Sequence, residues 1–213
     1  MKRALDHLKA SDAVMASIIE RVGPYRITYR EPTFEALVRS IVFQQLSTKA
    51  ARTIYGRFEE AAGGKVTPEA IQNLSVGDMR RCGLSKQKIG YIRDLADHAA
   101  CGKLDFTRLD SMTDDEVIAA LTDIKGIGVW TAHMFLLFAL RRPNILAVGD
   151  LGVRTAVQRM YRKRKLPTPA QMEKLGRTWH PYCSVACWYL WRSLEFPKDP
   201  NSNHKMRKIT PKK

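Results

Sequence analysis

The sequence predicts an all-α protein. Apolar residues recur every three or four positions along nearly the whole chain, which is the period of a helix with one buried face. Alternating apolar and polar runs, which are typical of strands, are few. No apolar stretch reaches the ~18 residues that a membrane span requires, since the longest runs only from Ile127 to Leu140. The chain is therefore expected to fold into helices without crossing a membrane.

This periodicity predicts a series of helices whose boundaries are accurate to about two to four residues. They span about residues 4–22, 33–46, 48–62, 67–73, 75–81, 86–101, 114–122, 127–140, 151–162, 169–177 and 182–194. Helix starts carry side-chain oxygens that can accept from free backbone amides: Ser47 or Thr48 before one helix, and Thr113 or Asp114 before another. Asp150 is suited to the same role before the helix from residue 151.

The helix predicted over 86–101 shows the pattern clearly. Its buried stripe consists of Ile89, Ile92, Leu95, Ala96 and Ala99. Lys86, Lys88 and Arg93 fall outside this stripe and are expected to stay in water. This helix is predicted to be a packing unit first.

The chain is strongly basic. It has 36 Lys and Arg against 21 Asp and Glu in 213 residues, a formal charge of +15 and a pI of about 9.9. This excludes an acidic solvating protein, and a hydrophobic content of 45% is that of a globular one. Basic residues cluster at 162–165 and in a polar tail at 201–213. Nucleic acid is the expected partner because each neutralised phosphate releases counterions.

The N-terminus and the cysteines indicate an intracellular, cytoplasmic protein. Charged residues from Asp6 to Asp12 interrupt the apolar run of a secretory signal, and the four cysteines are too scattered for a disulfide framework or an iron–sulfur cluster. His180, Cys183 and Cys187 can share a helical face, which leaves a zinc site open, although a fourth ligand would have to come from elsewhere. We predict no metal, with the cysteines as buried structural residues.

The turn between the helices predicted over 114–122 and 127–140 is the most informative segment. Gly126 and Gly128 lie two positions apart, and both can take positive φ and admit another backbone closely. The amides that open the next helix can bind an anion, and Lys125 adds a positive charge. From these residues alone, the turn is either a phosphate-binding site or a helix–turn–helix corner without a ligand.

Five segments carry a resemblance to a known family. They are Phe34–Ser47, Cys82–Tyr91, Ile124–Ala132, Val148–Val153 and Trp179–Arg192. In this order they resemble the 3-methyladenine DNA glycosylase II family of the helix-hairpin-helix DNA glycosylase superfamily. The resemblance implies an all-α, two-lobed helix-hairpin-helix glycosylase fold with the active-site cleft between the lobes. The middle lobe would span about 34–140 and the second about 1–33 plus 141–200.

The resemblance also implies an activity. The protein is expected to be a monofunctional DNA glycosylase of base excision repair, which flips out alkylated purines such as 3-methyladenine and 7-methylguanine and excises them hydrolytically. Its partner is double-stranded DNA with damaged bases. We expect a monomer without an organic cofactor, and hairpin carbonyls that hold a monovalent cation against a DNA phosphate.

Asp150 is the catalytic residue that the resemblance implies, since a carboxylate can stabilise oxocarbenium character or help a water attack. Trp130, Met134 and Trp191 are implied to form the base pocket, where an indole face attracts a cationic alkylpurine. Periodicity alone would equally make the tryptophans core residues. Trp130 stands where endonuclease III-type relatives carry their Schiff-base lysine, so lyase activity is not expected.

The implied DNA contacts lie in two segments. Leu46 is the expected apolar wedge that fills the gap left by the flipped base, and Gln45 can hydrogen-bond the orphaned base. The hairpin contacts are Lys125, Gly126, Gly128 and Thr131. Two residues depart from the family pattern: His133 replaces Asp or Asn, and Cys183 replaces Arg.

Three alternatives remain open from the sequence. A non-catalytic helix-hairpin-helix DNA-binding protein would need only the charge and the hairpin, with Asp150 as a helix cap. A glycosylase for deaminated or etheno bases would use the same stacking pocket. A zinc-dependent nuclease would be built on His180, Cys183 and Cys187.

Overall fold

The structure, a computed structural model, describes residues 1–197, and within this range it is helical without strands. The predicted all-α class is confirmed. The α-helices are α1 (Lys2–Ser11), α2 (Ala13–Val22), α3 (Phe34–Phe43), α4 (Thr48–Ala61), α5 (Pro68–Asn73), α6 (Val76–Arg81), α7 (Lys86–Ala100), α8 (Asp114–Thr122), α9 (Val129–Phe138), α10 (Leu151–Met160), α11 (Pro169–Gly176) and α12 (Cys183–Ser193). A short 3-10 helix covers Leu109–Ser111. The predicted tail at 201–213 lies outside the described residues.

Among these helices, none has both the length and the apolar character needed to cross a membrane. The chain divides into two compact units. The first combines residues 1–25 with the residues from 148 onward, and therefore contains α1, α2 and α10–α12. The second is continuous, runs from Arg26 to Ala147 and contains α3–α9.

The continuous unit is organised around α7. Helices α3, α5 and α6 pack against α7, α4 packs against α3, and α8 packs against α9. The apolar faces of these helices form one buried cluster, whose fully buried members include Ile41, Phe58, Ile92 and Leu95. Burial of such side chains contributes about 1.5–3 kcal/mol each, which makes this cluster the main source of the unit's stability.

In the discontinuous unit, α12 is the central helix. It packs against α2 and α10, and α1 packs against α2. Trp179 and Tyr189 are completely buried, and Trp188 is 8% exposed. Tyr25 lies against both the Trp188 and the Tyr189 ring, with centroids 4.7 and 6.1 Å away. Trp179 and Trp188 are therefore core residues of this unit.

The single helix predicted over 4–22 is wrong, because the chain breaks at Asp12. This residue has an extended backbone (φ −151°), and its Oδ1 caps α2 by accepting from the amides of Val14 and Met15 at 2.9 and 3.0 Å. Its Oδ2 accepts from the Tyr161 hydroxyl at 2.6 Å and the Trp179 indole at 2.9 Å. Four hydrogen bonds to one carboxylate offset the loss of a continuous helix.

The other helix starts follow the expected chemistry. Ser47 caps α4 by accepting from the Ala50 amide, and Thr113 forms a reciprocal capping box with Glu116 at α8. The helix predicted over 33–46 ends three residues early, at Phe43.

The buried stripe of α7 is confirmed for Ile89, Ile92, Leu95 and Ala96. The expectation that its basic residues stay in water is wrong for Lys88 and Arg93, which are half-buried. The Arg93 guanidinium donates to the Leu74 carbonyl at 2.9 Å. Long basic side chains can bury their stems while their charged ends find carbonyl acceptors.

Candidate functional site

The turn between α8 and α9 is built around Gly126. Its φ is +83°, and a Cβ at this position would lie 2.1 Å from the Tyr91 ring. The Gln44 side-chain amide donates to the Gly126 carbonyl at 2.9 Å. Position 126 therefore requires glycine, because its φ is positive and because the aromatic ring from α7 leaves no space for a Cβ.

Gly128 is different, because it does not adopt the positive φ that glycine permits. It is the N-cap of α9 with an ordinary extended conformation (φ −95°, ψ 172°), and a Cβ would meet no atom within 4 Å. It offers no side chain to cap the helix, so no side-chain oxygen competes with an anion at the first turn of α9. Val129 and Trp130 follow it at 53% and 49% exposure.

Lys125 is paired within the chain. Its backbone amide donates to Asp94 Oδ2 at 2.9 Å, and its ammonium lies 3.1 Å from Asp94 Oδ1. Burial alone would raise the pKa of Asp94, but these two hydrogen bonds and the Lys125 charge hold it below its usual value. The Lys125 side chain remains 76% exposed. The pair fixes the turn while most of the Lys125 side chain faces solvent.

One cavity of about 750 Å³ lies in the continuous unit, between α3, α9 and the segment from residue 28 to 30. It brings together five of the residues that the sequence singles out: Gln45, Gly126, Trp130, Thr131 and Met134. The half-exposed Trp130 is not a core residue. Its indole and Met134 instead line a cavity whose volume is in the range of ligand sites.

Asp150 lies in the discontinuous unit, where it caps α10. Its Oδ1 accepts from the Val153 amide at 2.7 Å and from the Trp191 indole at 2.8 Å, and the residue is 8% exposed. Gly152 makes room for this arrangement, since a Cβ there would lie 3.0 Å from Asp150 Oδ1 and 3.1 Å from Trp191 Cδ1. The cap role expected for Asp150 is confirmed. Trp191 is half-buried and oriented by the carboxylate.

The segment after α3 exposes the expected wedge. Leu46 is 40% exposed, and Gln45 has a φ of +57°, in the left-handed region that non-glycine residues rarely adopt. Gln45 and Leu46 also line a second hollow of about 330 Å³. The chain therefore places Leu46 at the surface through a strained residue.

The two residues that depart from the family pattern, His133 and Cys183, are both shielded from solvent to some degree. His133 is half-buried in α9, and this burial lowers its pKa. Cys183 is fully buried, and burial raises the pKa of its thiol to about 12. Cys187 is buried as well. Among residues 1–197, no three His, Cys, Asp or Glu side chains are grouped to hold a metal ion, so the zinc-nuclease alternative has no geometric support.

Several residues around these features carry no signal in the sequence. Leu151, directly after Asp150, is 65% exposed, although an apolar residue at a helix start would ordinarily be assigned to the core. Arg30 and Arg39 line the cavity, and Lys88 lines the smaller hollow. Helical periodicity separates the buried face of a helix from its exposed face. It does not show which exposed residues, from different helices, line the same cavity.

Within the described residues the chain is helical, and it combines a glycine hairpin with a buried aspartate that caps a helix. The chain belongs to the HhH-GPD superfamily of base excision DNA repair proteins, whose family model matches residues 38–181. This match includes the hairpin, Trp130 and Asp150.

Particular relatives are similar over nearly the whole chain. DNA-3-methyladenine glycosylase 1 of Schizosaccharomyces pombe is 33% identical over 200 residues, which cover 91% of this chain and 87% of the relative. The crystal structure of a DNA-3-methyladenine glycosidase from Bacillus halodurans has a TM-score of 0.84 and 40% identity, covering 90% of this chain and 89% of that one. The S. pombe 3-methyladenine DNA glycosylase in complex with abasic DNA has a TM-score of 0.81 and 32% identity, covering 92% and 98%.

Proposed function

We propose that this protein is a monofunctional DNA glycosylase of the 3-methyladenine DNA glycosylase II type. It flips alkylated purines such as 3-methyladenine and 7-methylguanine out of duplex DNA and hydrolyses the N-glycosidic bond. The observation that carries the proposal is the buried Asp150 carboxylate, held by Val153 and Trp191 in a chain of this repair superfamily. The named activities of the relatives and the DNA bound to one of them support it.

Asp150 acts on the sugar. As the glycosidic bond breaks, the deoxyribose gains oxocarbenium character, which a nearby carboxylate stabilises electrostatically. The same carboxylate can orient the attacking water. The Val153 amide and the Trp191 indole hold Oδ1 before any charge develops, so little reorganisation accompanies the reaction. Trp191 is thus a positioning residue for the carboxylate.

Trp130 and Met134 receive the base. A 3-methyladenine base in DNA is cationic and electron-poor, and the face of an indole attracts such a ring. The half-exposed Trp130 indole in a cavity of about 750 Å³ is suited to this contact. Departure of the base neutralises it, which makes it a good leaving group that needs only modest catalytic help.

The reaction is hydrolytic and stops at the abasic site. Trp130 occupies the position where, by resemblance, bifunctional relatives carry an amine for Schiff-base formation. An indole nitrogen cannot form that intermediate. The expected products are the free base and an intact strand that contains an abasic site.

The DNA backbone is held by the hairpin and the duplex is opened by the segment after α3. The first turn of α9, from Gly128, provides backbone amides and the positive end of a helix dipole for a phosphate. Lys125, Gly126 and Thr131 are the other proposed contacts of this hairpin. Leu46 is the apolar wedge, and Gln45 pairs with the orphaned base.

Single-turnover base release from methylated duplex DNA tests the proposal, with wild type compared to Asp150→Asn. Asparagine caps helices about as well as aspartate, so this substitution removes the charge and leaves the cap of α10 in place. We expect wild type to release 3-methyladenine or 7-methylguanine, without strand cleavage before alkali treatment. The variant should be slower by about 10²–10³-fold with unchanged DNA affinity.

Other outcomes would redirect the assignment. Release only from DNA that contains hypoxanthine or an etheno base would change the substrate class. A folded wild type that binds DNA and releases no base from any of these substrates would contradict the glycosylase assignment and leave a DNA-binding protein in which Asp150 is only a cap.

A further inference from the structure

The segment Cys82–Tyr91 stands out in the sequence, yet the reaction described above uses none of it. Two of its residues, both on α7, contact the end of α3 and the hairpin, which are the segments proposed above to contact DNA. The Lys88 ammonium donates to the Val42 carbonyl at 2.6 Å and to the Gln44 carbonyl at 2.8 Å. The Tyr91 ring packs against Gly126 of the hairpin.

Lys88 meets the end of α3. The last carbonyls of a helix lack intrahelical partners, and they carry the negative end of the helix dipole. An ammonium group there satisfies two acceptors and complements the dipole. The side chain is half-buried, and burial lowers the pKa of Lys88 because its charged form loses hydration. The two carbonyls provide acceptors that partly replace this lost water.

The same network reaches the hairpin. The backbone carbonyl of Gln44 is held by Lys88, and its side-chain amide donates to the Gly126 carbonyl at 2.9 Å. The next residue, Gln45, is in the left-handed conformation, which persists only where surrounding contacts hold it. Leu46 then follows at the surface.

We propose that Lys88 is a positioning residue for base flipping: its hydrogen bonds to Val42 and Gln44 fix the turn that presents Leu46 to the duplex. This inference rests on the proposed glycosylase function, since a wedge matters only where a base must leave the stack. Lys88 acts through the conformation of Gln45 and Leu46.

The role proposed for Lys88 predicts different effects on base flipping and on cleavage of the glycosidic bond. A paired lesion must break its pairing and stacking before it reaches the site, whereas a lesion without an opposite base has already lost its pairing. A loosened wedge segment should therefore slow excision of a paired lesion strongly and of an unpaired lesion little. A general structural role for Lys88 would slow both equally.

The experiment compares Lys88→Met with Lys86→Met, an exposed lysine at the start of the same helix. Each variant and the wild type excise 7-methylguanine under single-turnover conditions, placed opposite either cytosine or a tetrahydrofuran abasic analogue. We expect Lys88→Met to lose about tenfold or more opposite cytosine and less than about threefold opposite the analogue, because partly buried carbonyls left without donors destabilise the turn. Lys86→Met should stay within about threefold on both.

Equal losses on both substrates, or no loss on either, would overturn the role of Lys88 while leaving the proposed function standing on the wild-type activity. No release by the wild type from either substrate would overturn the proposed function and the inference with it. If Lys88→Met does not fold, Lys88→Gln replaces it and must meet the same criterion. That variant keeps a polar group at this half-buried position and removes the ammonium that donates to both carbonyls.

Discussion

At the scale of single residues, Asp150 shows how a structural task and a chemical one can be combined. Its Oδ1 accepts from the Val153 amide and the Trp191 indole, and both bonds depend on the small size of Gly152. A helix cap thus holds a carboxylate in one orientation, within a buried environment where its charge acts strongly.

Gly152→Ala tests this geometry. A Cβ at 3.0 Å from Asp150 Oδ1 and 3.1 Å from Trp191 Cδ1 forces one of the two groups to move. We expect single-turnover base release to fall by about tenfold or more, because small displacements of a catalytic group have large effects on rate. Helicity should persist, since alanine has a higher helix propensity than glycine.

Gly149→Ala is the matched control, because a Cβ there meets no atom within 4 Å. Circular dichroism and single-turnover rates of both variants would be compared. Equal rates for Gly152→Ala and the wild type would show that the contact between Trp191 and Asp150 does not set the reaction rate.

Residue roles were predictable where chemistry leaves few choices. The aspartate before the helix from residue 151 predicted a helix cap, which the structure confirms. The pocket role of Trp130 came from the family resemblance instead, and it stays a prediction for a residue that lines a cavity. Lys88 was predicted to stay in water. This prediction failed because the periodicity of one helix cannot show that the end of another helix meets this side chain. The conformation of Gly128 was missed for a similar reason, since a glycine permits positive φ without requiring it.

At the scale of elements, the hairpin is held by α7. Lys125 at the turn bonds twice to Asp94 of α7, and Gly126 packs on Tyr91 of the same helix. The helix that the sequence identifies as a packing unit is therefore also the support of the turn. The break at Asp12 between α1 and α2 is the opposite case: the apolar pattern continues across it, and the partners that stabilise it lie far along the chain.

Asp94→Asn should weaken this support in a pH-dependent way. The pKa of Asp94 is lower in the folded protein than in the unfolded chain, so its contribution to stability is present above the unfolded pKa of about 3.9. It is lost as the pH falls below that value, through the folded pKa. We expect the variant to be less stable than wild type by about 1 kcal/mol at pH 7, and the difference to shrink below about pH 4.

Denaturant unfolding at several pH values measures this difference. Asp97→Asn, an exposed carboxylate of the same helix, is the control and should change stability by less than about 0.5 kcal/mol. A difference between Asp94→Asn and wild type that stays constant from pH 7 to pH 3 would show that the charge of Asp94 does not brace the hairpin.

At the scale of the whole molecule, the chain carries a net charge of +15, and part of its basic side chains serve the fold. Lys88, Arg93 and Arg142 bond to backbone carbonyls. The all-α class and the basic character were predictable from composition and periodicity. It was not predictable which basic side chains would bond within the protein, because that depends on which carbonyls the folded chain leaves within reach.

Lys125→Ala tests whether one exposed cation contacts a DNA phosphate. We expect the slope of log affinity against log salt concentration for duplex DNA to fall by up to about one unit, as loss of one phosphate contact requires. Lys65→Ala, an exposed lysine between α4 and α5, serves as the comparison and should leave the slope unchanged. Identical slopes for Lys125→Ala and wild type would remove Lys125 from the DNA contacts and leave it only the bond to Asp94.

The discontinuous unit also sets an order of events during synthesis on the ribosome. Residues 26–147 form their unit from one stretch of chain, whereas α2 buries Met15, Ile18 and Ile19 in a unit completed by helices from residue 148 onward. Until α12 emerges, this apolar face lacks its partner helix. Translation therefore completes the whole middle unit before the helix that covers this face of α2 exists, and α1 is the helix available to pack against α2 in that interval.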